Sequence, residues 1–120
     1  MVISNKQKGI FGEHVCQHYF QKSGYKIIAK NWYCRWGELD LVATHARQLV
    51  FIEVKTVFST DFCDAVDLFN YKKRRKLART INQFLAKYRL LNKDWRLDLV
   101  CITKDGPKIW LEHYQNVLCS

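Results

Sequence analysis

Hydrophobic positions recur along the chain with a helical period in two segments. The first segment covers about residues 9–23 and the second covers about residues 64–88. In both, apolar residues return every three or four positions, which places them on one face of a helix. The first stripe consists of Phe11, Val15, Cys16, Tyr19 and Phe20. The second consists of Leu77, Ile81, Phe84, Leu85 and Tyr88. We therefore expect two amphipathic helices.

Five shorter segments alternate in polarity or run apolar with many β-branched residues, a pattern typical of strands. They cover about residues 25–29, 39–43, 49–57, 97–103 and 108–112. Residues 44–48 form a polar connection short enough for a hairpin. The resulting order α-β-β-β-α-β-β predicts an α/β fold, with a single mixed sheet of about five strands flanked by helices.

The composition indicates one globular domain over residues 1–120, with its core at about 9–112. The chain is 48% hydrophobic and 26% charged, an ordinary balance for a domain of this length. No apolar run approaches the roughly 18 residues of a membrane helix, and the first residues lack the apolar segment of a signal peptide. Five scattered cysteines, without a C-x-x-C pair, favour a reducing compartment. We expect a cytoplasmic protein with no membrane partner.

Three charged residues in the predicted hairpin form a candidate catalytic group. Glu53 and Lys55 interrupt an apolar strand and share one of its faces, because side chains alternate along a strand. Paired positions in an antiparallel hairpin have a constant sum. A turn centred between Ala46 and Arg47 makes that sum 93 and places Asp40 opposite Glu53, with Cβ atoms roughly 4.5–5.5 Å apart.

Two facing carboxylates repel each other, and a divalent cation relieves that repulsion. Mg²⁺ typically binds one or two carboxylates together with waters and phosphate oxygens. The lysine would add a positive charge that stabilises negative charge on phosphorus or helps to deprotonate a water. This combination predicts phosphodiester hydrolysis with Mg²⁺ or Mn²⁺. The alternative is an exposed Glu-x-Lys ion pair of little energetic value.

The chain has a formal net charge of +9, and its basic residues concentrate in the second predicted helix. Residues 70–89 contain eight lysines or arginines and no acidic residue. Five of them are consecutive, namely Lys72, Lys73, Arg74, Arg75 and Lys76. Lys73 precedes Leu77 by four positions, which places it near the inward stripe. Together with Arg35, this cluster suits contacts to the phosphates of nucleic acid, most simply DNA.

Several short motifs occur in order along the chain, namely Gly12-Glu13, Gly24-Tyr25, Asn31, residues 37–41, residues 51–55, residues 73–77 and residues 96–100. Together they are similar to the pattern of the YraN family within the PD-(D/E)xK nuclease superfamily. The resemblance covers about residues 9–102 and implies a restriction-endonuclease-like fold. It also implies Asp40 and Glu53 as metal ligands, Lys55 as the catalytic lysine, and Glu13 as an additional acidic residue from the first helix.

Two functions follow from these observations. The first is a Mg²⁺-dependent nuclease that acts on DNA, including branched or structured DNA, with a homodimer suited to cleavage of two strands. The alternative is a catalytically inactive nucleic-acid-binding module of the same fold. Two departures from the family pattern favour the alternative, because Val57 and Tyr33 occupy positions where the family often has arginine.

Overall fold

A five-stranded mixed sheet forms the centre of the protein, as seen in a computed structural model that describes residues 4–58 and 71–118. The elements are α1 (Asn5–Lys22), β1 (Lys26–Cys34), β2 (Gly37–His45), β3 (Gln48–Phe58), α2 (Tyr71–Lys87), β4 (Trp95–Asp105) and β5 (Lys108–Tyr114). The predicted order of helices and strands is confirmed. No helix in these two described ranges is long and apolar enough to cross a membrane.

The strands lie in the order β1-β2-β3-β4-β5. β3 and β4 are parallel, whereas the other three neighbouring pairs are antiparallel. A parallel pair needs a long crossover connection, and α2 lies in the connection between β3 and β4. The α/β fold class with a single mixed sheet is therefore confirmed.

The two helices bury opposite faces of the sheet. Cys16 and Phe20 of α1 pack against Val50 and Ile52, while the inner side of α2 packs against Phe51 of the same strand. Because both faces of β3 are covered, its sequence reads as a continuous apolar run instead of an alternating one. The buried apolar positions of α2 are Leu77, Ile81, Phe84 and Leu85, and Thr80 is buried beside them. Tyr88, which we expected on the same stripe, follows the last helical residue and is 46% exposed, although its ring packs against Phe84 at 4.7 Å.

The hairpin between β2 and β3 has the register that the sequence predicts. Its pairs run from His45 with Gln48 to Leu41 with Ile52, so their numbers have the expected constant sum. The two turn residues, Ala46 and Arg47, have φ values of 50° and 65°. Positive φ at both central positions is the geometry of the tight turn that matches strand twist.

Two predicted boundaries differ from the structure by several residues. α1 begins at Asn5, because Ser4 and Gln7 form a capping box that extends the helix towards the N-terminus. β1 extends to Cys34, well beyond the predicted end. The sequence pattern missed the second half of this strand, because a register shift near Ala29 and a φ of 50° at Asn31 disturb the alternation of side chains. The expected start of the second helix, at about residue 64, lies outside the described residues.

Candidate active site

Strands β2 and β3 separate at the position where the register of the hairpin would next pair Asp40 with Glu53. The described backbone pairing ends at Leu41 and Ile52, one position earlier. In place of a backbone carbonyl, the Asp40 carboxylate Oδ2 accepts a hydrogen bond of 2.8 Å from the N–H of Val54. The Asp40 side chain therefore lies in the gap between the two strands. The expected direct backbone pair of Asp40 and Glu53 is replaced by a contact between their side chains.

The carboxyl groups of Asp40 and Glu53 lie within hydrogen-bonding reach of each other in this gap. Burial, and then the charge of Glu53, raises the pKa of Asp40 to about 8. Burial also raises the pKa of Glu53, although the charge of Lys73 opposes that change. The pair therefore retains a proton near neutral pH. Such a proton is the usual response of two buried carboxylates that lack a cation between them.

Lys73 of α2 provides part of the missing positive charge. Its Nζ lies 3.4 Å from Oε1 of Glu53, and the two side chains are 39% and 16% exposed. This contact with β3 confirms that Lys73 lies near the inward stripe of α2, as its spacing to Leu77 predicts. An ion pair with this exposure contributes only modestly to stability, so its more important effect is on the charge of the acidic pair.

Two further acidic residues lie within electrostatic reach of this pair. Glu13 of α1 is half-buried, and the Asn31 amide, oriented so that its nitrogen faces Glu13, donates to the two carboxylate oxygens at 2.8 and 3.3 Å. Burial raises the pKa of Glu13. Negative charge on Glu13 and Glu38 contributes to the raised pKa of Asp40. Three elements, α1, β2 and β3, therefore direct carboxylates towards one region.

The donor set suits a hard divalent cation. In the part of the chain that the structure describes, no three histidine, cysteine, aspartate or glutamate residues converge closely enough to hold a metal. Asp40 and Glu53 nevertheless bring two carboxylates into direct contact. Mg²⁺ commonly takes one or two protein carboxylates and completes its octahedron with water and substrate phosphate. Lys55, two residues beyond Glu53 on the same strand, is exposed to solvent.

A cavity of about 490 Å³ adjoins the acidic pair. Its lining includes Tyr33, Glu38, Glu53, Lys73, Lys76 and Thr80. Gly37 allows the turn after β1 to approach α2, because a Cβ at this position would lie 2.9 Å from Oγ1 of Thr80. The φ of Gly37 is 149°, a further reason why a larger residue would be strained there. The cavity thus combines carboxylates, ammonium groups and an aromatic side chain.

The six predicted nucleic-acid-binding residues differ in their exposure and in whether they line the cavity. Lys73 and Lys76 line the cavity. Lys72 and Arg75 are exposed on the same helix, whereas Arg74 is half-buried and does not line the cavity. The remaining residue, Arg35, places its guanidinium 4.8 Å from the ring centre of Trp36.

Arg79 makes the same contact with Trp36, also at 4.8 Å. The charge pattern predicts that Arg79 lies on a solvated helix face, and Arg79 is exposed, with its guanidinium resting against this indole. Because Trp36 follows Arg35 in the turn between β1 and β2, the contact connects that turn to α2. Arginine favours such stacking because its guanidinium is planar and weakly hydrated.

A buried carboxylate that we did not predict lies on the opposite side of the sheet. Asp98 of β4 has an exposed fraction of 0%. It accepts hydrogen bonds from Nε of Arg96 and the N–H of Asn116, both at 3.0 Å, and lies 2.7 Å from Nε2 of His113. Although burial acts in the other direction, these hydrogen bonds lower the pKa of Asp98. The group joins β4 to the C-terminal segment.

Sequence signals for the unpredicted residues exist in two cases. Asp98 interrupts an apolar strand in the same way as Glu53 does, and a charge in a buried strand needs a partner. Asn31 is one of the residue types that most readily adopts positive φ, which is the conformation observed. Its hydrogen bond to Glu13 depends on the folded contact between β1 and α1.

Comparisons with known proteins identify the family. A model of the Uncharacterised protein family UPF0102 matches residues 12–102. A UPF0102 protein of Herpetosiphon aurantiacus is 36% identical over 121 residues, which are 98% of each chain. A UPF0102 protein of Caldanaerobacter subterraneus subsp. tengcongensis is 31% identical, covering 97% of this chain and 95% of the relative. The Clostridium acetobutylicum relative is 36% identical, covering 80% and 79%. The chain therefore belongs to the UPF0102, or YraN, family.

Proposed function

We propose that this protein is a nuclease that hydrolyses phosphodiester bonds in DNA with Mg²⁺ or Mn²⁺ as its cofactor. The observation that carries this proposal is the contact between the carboxyl groups of Asp40 and Glu53 in the gap between β2 and β3. Burying two adjacent acids is unfavourable unless a positive charge compensates them. A divalent cation is the positive charge that best matches their oxygen donors.

Each residue of the group has a distinct task in this proposal. Asp40 and Glu53 hold the cation, and the hydrogen bond from Val54 orients the Asp40 carboxylate. The cation supplies Lewis acidity for the attacked phosphoryl group and lowers the pKa of water. Lys55 is exposed on the same strand face as Glu53 and acts on the attacking water. Glu13, oriented by Asn31, accepts a hydrogen bond from a water at the edge of the site.

The basic residues bind the phosphate backbone around the scissile bond. Lys73 and Lys76 line the cavity beside Glu53, so they contact the phosphates nearest the reaction. The more distant backbone contacts come from Lys72, Arg74, Arg75 and Arg35. Each phosphate contact releases counterions and makes binding weaker at high salt. Replacing both Lys72 and Arg75 by Gln should therefore reduce the slope of log K against log salt by about two.

The direct test of the nuclease is cleavage of supercoiled and branched DNA in Mg²⁺ or Mn²⁺. Wild type should nick or linearise the DNA, and EDTA should stop the reaction. Asp40→Asn and Glu53→Gln should each lower the rate by about a hundredfold or more, since each removes a ligand charge. Glu112→Gln is the matched control, because Glu112 is an exposed acid on β5 at the far edge of the sheet. Equal cleavage by wild type and Asp40→Asn would reject the assignment.

A homodimer stays a prediction that the same assay can address. Linear product without a nicked intermediate indicates two sites acting together, as a dimer would provide. Sedimentation of the protein with and without DNA measures the stoichiometry independently.

The second candidate is a nucleic-acid-binding module without turnover. The ion pair between Lys73 and Glu53 favours it, because the lysine already neutralises one of the two acids at 3.4 Å. Calorimetric titration with Mn²⁺ distinguishes the candidates. Binding that Glu53→Gln abolishes supports the nuclease, whereas DNA affinity without any metal binding supports the module.

A further inference from the structure

The cavity beside the acidic pair has the size of a small-molecule site. Its volume of about 490 Å³ falls within the range of roughly 300–1,000 Å³ that is typical of ligand pockets. A space of this size holds one nucleoside but does not admit a base-paired duplex. Glu53 belongs both to the acidic pair and to the cavity wall. A group bound in the cavity therefore lies next to the proposed reaction centre.

One wall of the cavity carries an unusually exposed aromatic ring. Tyr33, near the end of β1, is 76% exposed, the largest value among the exposed large hydrophobic residues of the described chain. An aromatic side chain in this position offers a flat surface to an incoming base. Stacking on such rings tolerates any base, because every base has a π-face.

The other residues that line the cavity carry groups that suit the rest of a nucleotide. Lys73 and Lys76 supply ammonium groups for a phosphate, and Leu77 adds an apolar side chain to the lining. Glu38, on the β2 side, can accept hydrogen bonds from exocyclic amino groups. An aromatic ring, an apolar surface and two cations within one cavity match a nucleotide better than they match an inorganic anion.

The walls are held in place before any ligand binds. The turn between β1 and β2 is attached to α2 by Trp36, whose ring lies 4.8 Å from the guanidiniums of Arg35 and Arg79. Gly37 brings the same turn against Thr80, and Oγ1 of Thr80 donates to the carbonyl of Lys76 at 3.0 Å. A preformed cavity loses less entropy on binding than one that must be assembled.

We infer that this cavity binds one unpaired nucleotide, with its base stacked on Tyr33 and its phosphate beside the acidic pair. The protein therefore selects single-stranded segments, such as DNA ends and flaps, over fully paired duplex. A base within a duplex would have to leave its stack before it entered, which costs free energy that an unpaired base does not lose. This inference rests on the proposed nuclease function and specifies its substrate class.

Equilibrium binding in EDTA tests the inference without cleavage. Fluorescence anisotropy compares a labelled single strand of roughly 15 nucleotides with the blunt duplex of the same sequence. Wild type should bind the single strand about tenfold more tightly. Tyr33→Ala should weaken single-strand binding about tenfold and leave duplex binding unchanged, whereas Tyr33→Phe should keep the preference. Tyr114→Ala is the matched control, because Tyr114 lies on β5, at the opposite edge of the sheet.

A second readout locates the base. An oligonucleotide containing 2-aminopurine should lose fluorescence when its base stacks on Tyr33, and Tyr33→Ala should restore that fluorescence. Equal affinity for single strand and duplex, or a preference that survives in Tyr33→Ala, would overturn the inference. Asp40-dependent cleavage together with duplex preference overturns only this inference. If wild type bound neither the single strand nor the duplex, the proposed function itself would be overturned.

Discussion

The N–H of Val54 donates a hydrogen bond of 2.8 Å to the carboxylate of Asp40, at the point where β2 and β3 separate. This contact directs the Asp40 side chain into the gap between the strands, where it meets Glu53. The polar centre of the site therefore arises from an interruption of strand pairing. Interruptions of this kind are common beside active sites, because they redirect a side chain.

The acidic pair should make the metal-free protein less stable as the pH rises. The pKa of Asp40 is about 8 in the folded protein, above its ordinary value of 3.8, so the folded state binds an extra proton between these values. Stability consequently falls as the pH increases through this window. Asp40→Asn removes the repulsion and keeps an acceptor for Val54, so it should be more stable than wild type at pH 9 by about 1 kcal/mol.

Urea denaturation in EDTA at pH 5 and pH 9 measures this effect. The advantage of Asp40→Asn should be present at pH 9 and nearly absent at pH 5. The Glu112→Gln control should differ from wild type by the same amount at both values. An Asp40→Asn protein that is less stable than wild type at pH 9 would show that the pair is not under electrostatic strain.

Metal affinity should increase with pH over the same range. A cation must displace the proton that Asp40 and Glu53 share, so binding releases it. Below about pH 8, each unit decrease should weaken Mn²⁺ binding by up to about tenfold. Calorimetry in two buffers of different ionisation enthalpy counts the released protons directly. Affinity that stays constant from pH 6 to pH 8 would mean that the metal binds elsewhere.

Removing the lysine of the ion pair should affect two ligands in opposite directions. Lys73 lies 3.4 Å from Glu53 and repels an incoming cation, so Lys73→Ala should strengthen Mn²⁺ binding at pH 8.5 by about threefold. This factor is modest because the lysine is partly exposed and its charge is screened. The same substitution should weaken DNA binding several-fold, because a phosphate contact is lost.

The control for this experiment is Lys87→Ala, at the other end of the same helix. It should leave Mn²⁺ affinity unchanged. If Lys73→Ala instead abolished metal binding, the lysine would be orienting the ligands, and its proposed contact with phosphate would be wrong.

The buried group around Asp98 should contribute more to folding than any residue of the acidic pair. Asp98→Asn leaves the Arg96 guanidinium without its charged partner, and breaking a buried ion pair from one side costs about 3 kcal/mol or more. Because the pKa of Asp98 is lowered in the folded state, its contribution is present above the unfolded pKa of about 4 and disappears as the pH falls through the folded value.

Urea denaturation of wild type and Asp98→Asn at pH 7 and pH 3 tests this assignment. The difference in unfolding free energy should be large at pH 7 and should shrink at pH 3. Equal unfolding free energies at pH 7 would mean that the contacts of Asp98 do not stabilise the folded protein.

Local patterns predicted much of the fold and some of the site. The β2–β3 register follows from a two-residue turn and from burial of both faces, since a slip by one position would turn every side chain to the other face. The position of Lys73 follows from its spacing to Leu77, because helical geometry is regular. In both cases the information lies within a few residues of the chain.

Other features depend on contacts between distant elements. The separation of the strands at Asp40 and the positive φ of Asn31 interrupt regular geometry, which periodicity assumes. Tyr19 reaches His113 across 94 positions of sequence, at 3.0 Å. No local pattern specifies such a pair. The contact of Arg79 with Trp36 is another example, because the charge pattern predicts an exposed arginine but not the ring that it contacts.

Anomalous scattering from crystals soaked in Mn²⁺ at pH 8.5 tests the central claim most directly. We predict a peak between Asp40 and Glu53, about 2.1 Å from a carboxylate oxygen of each, which is absent from Asp40→Asn crystals grown in the same way. A map without a peak at these carboxylates, obtained while Mn²⁺ supports DNA cleavage in solution, would contradict the account.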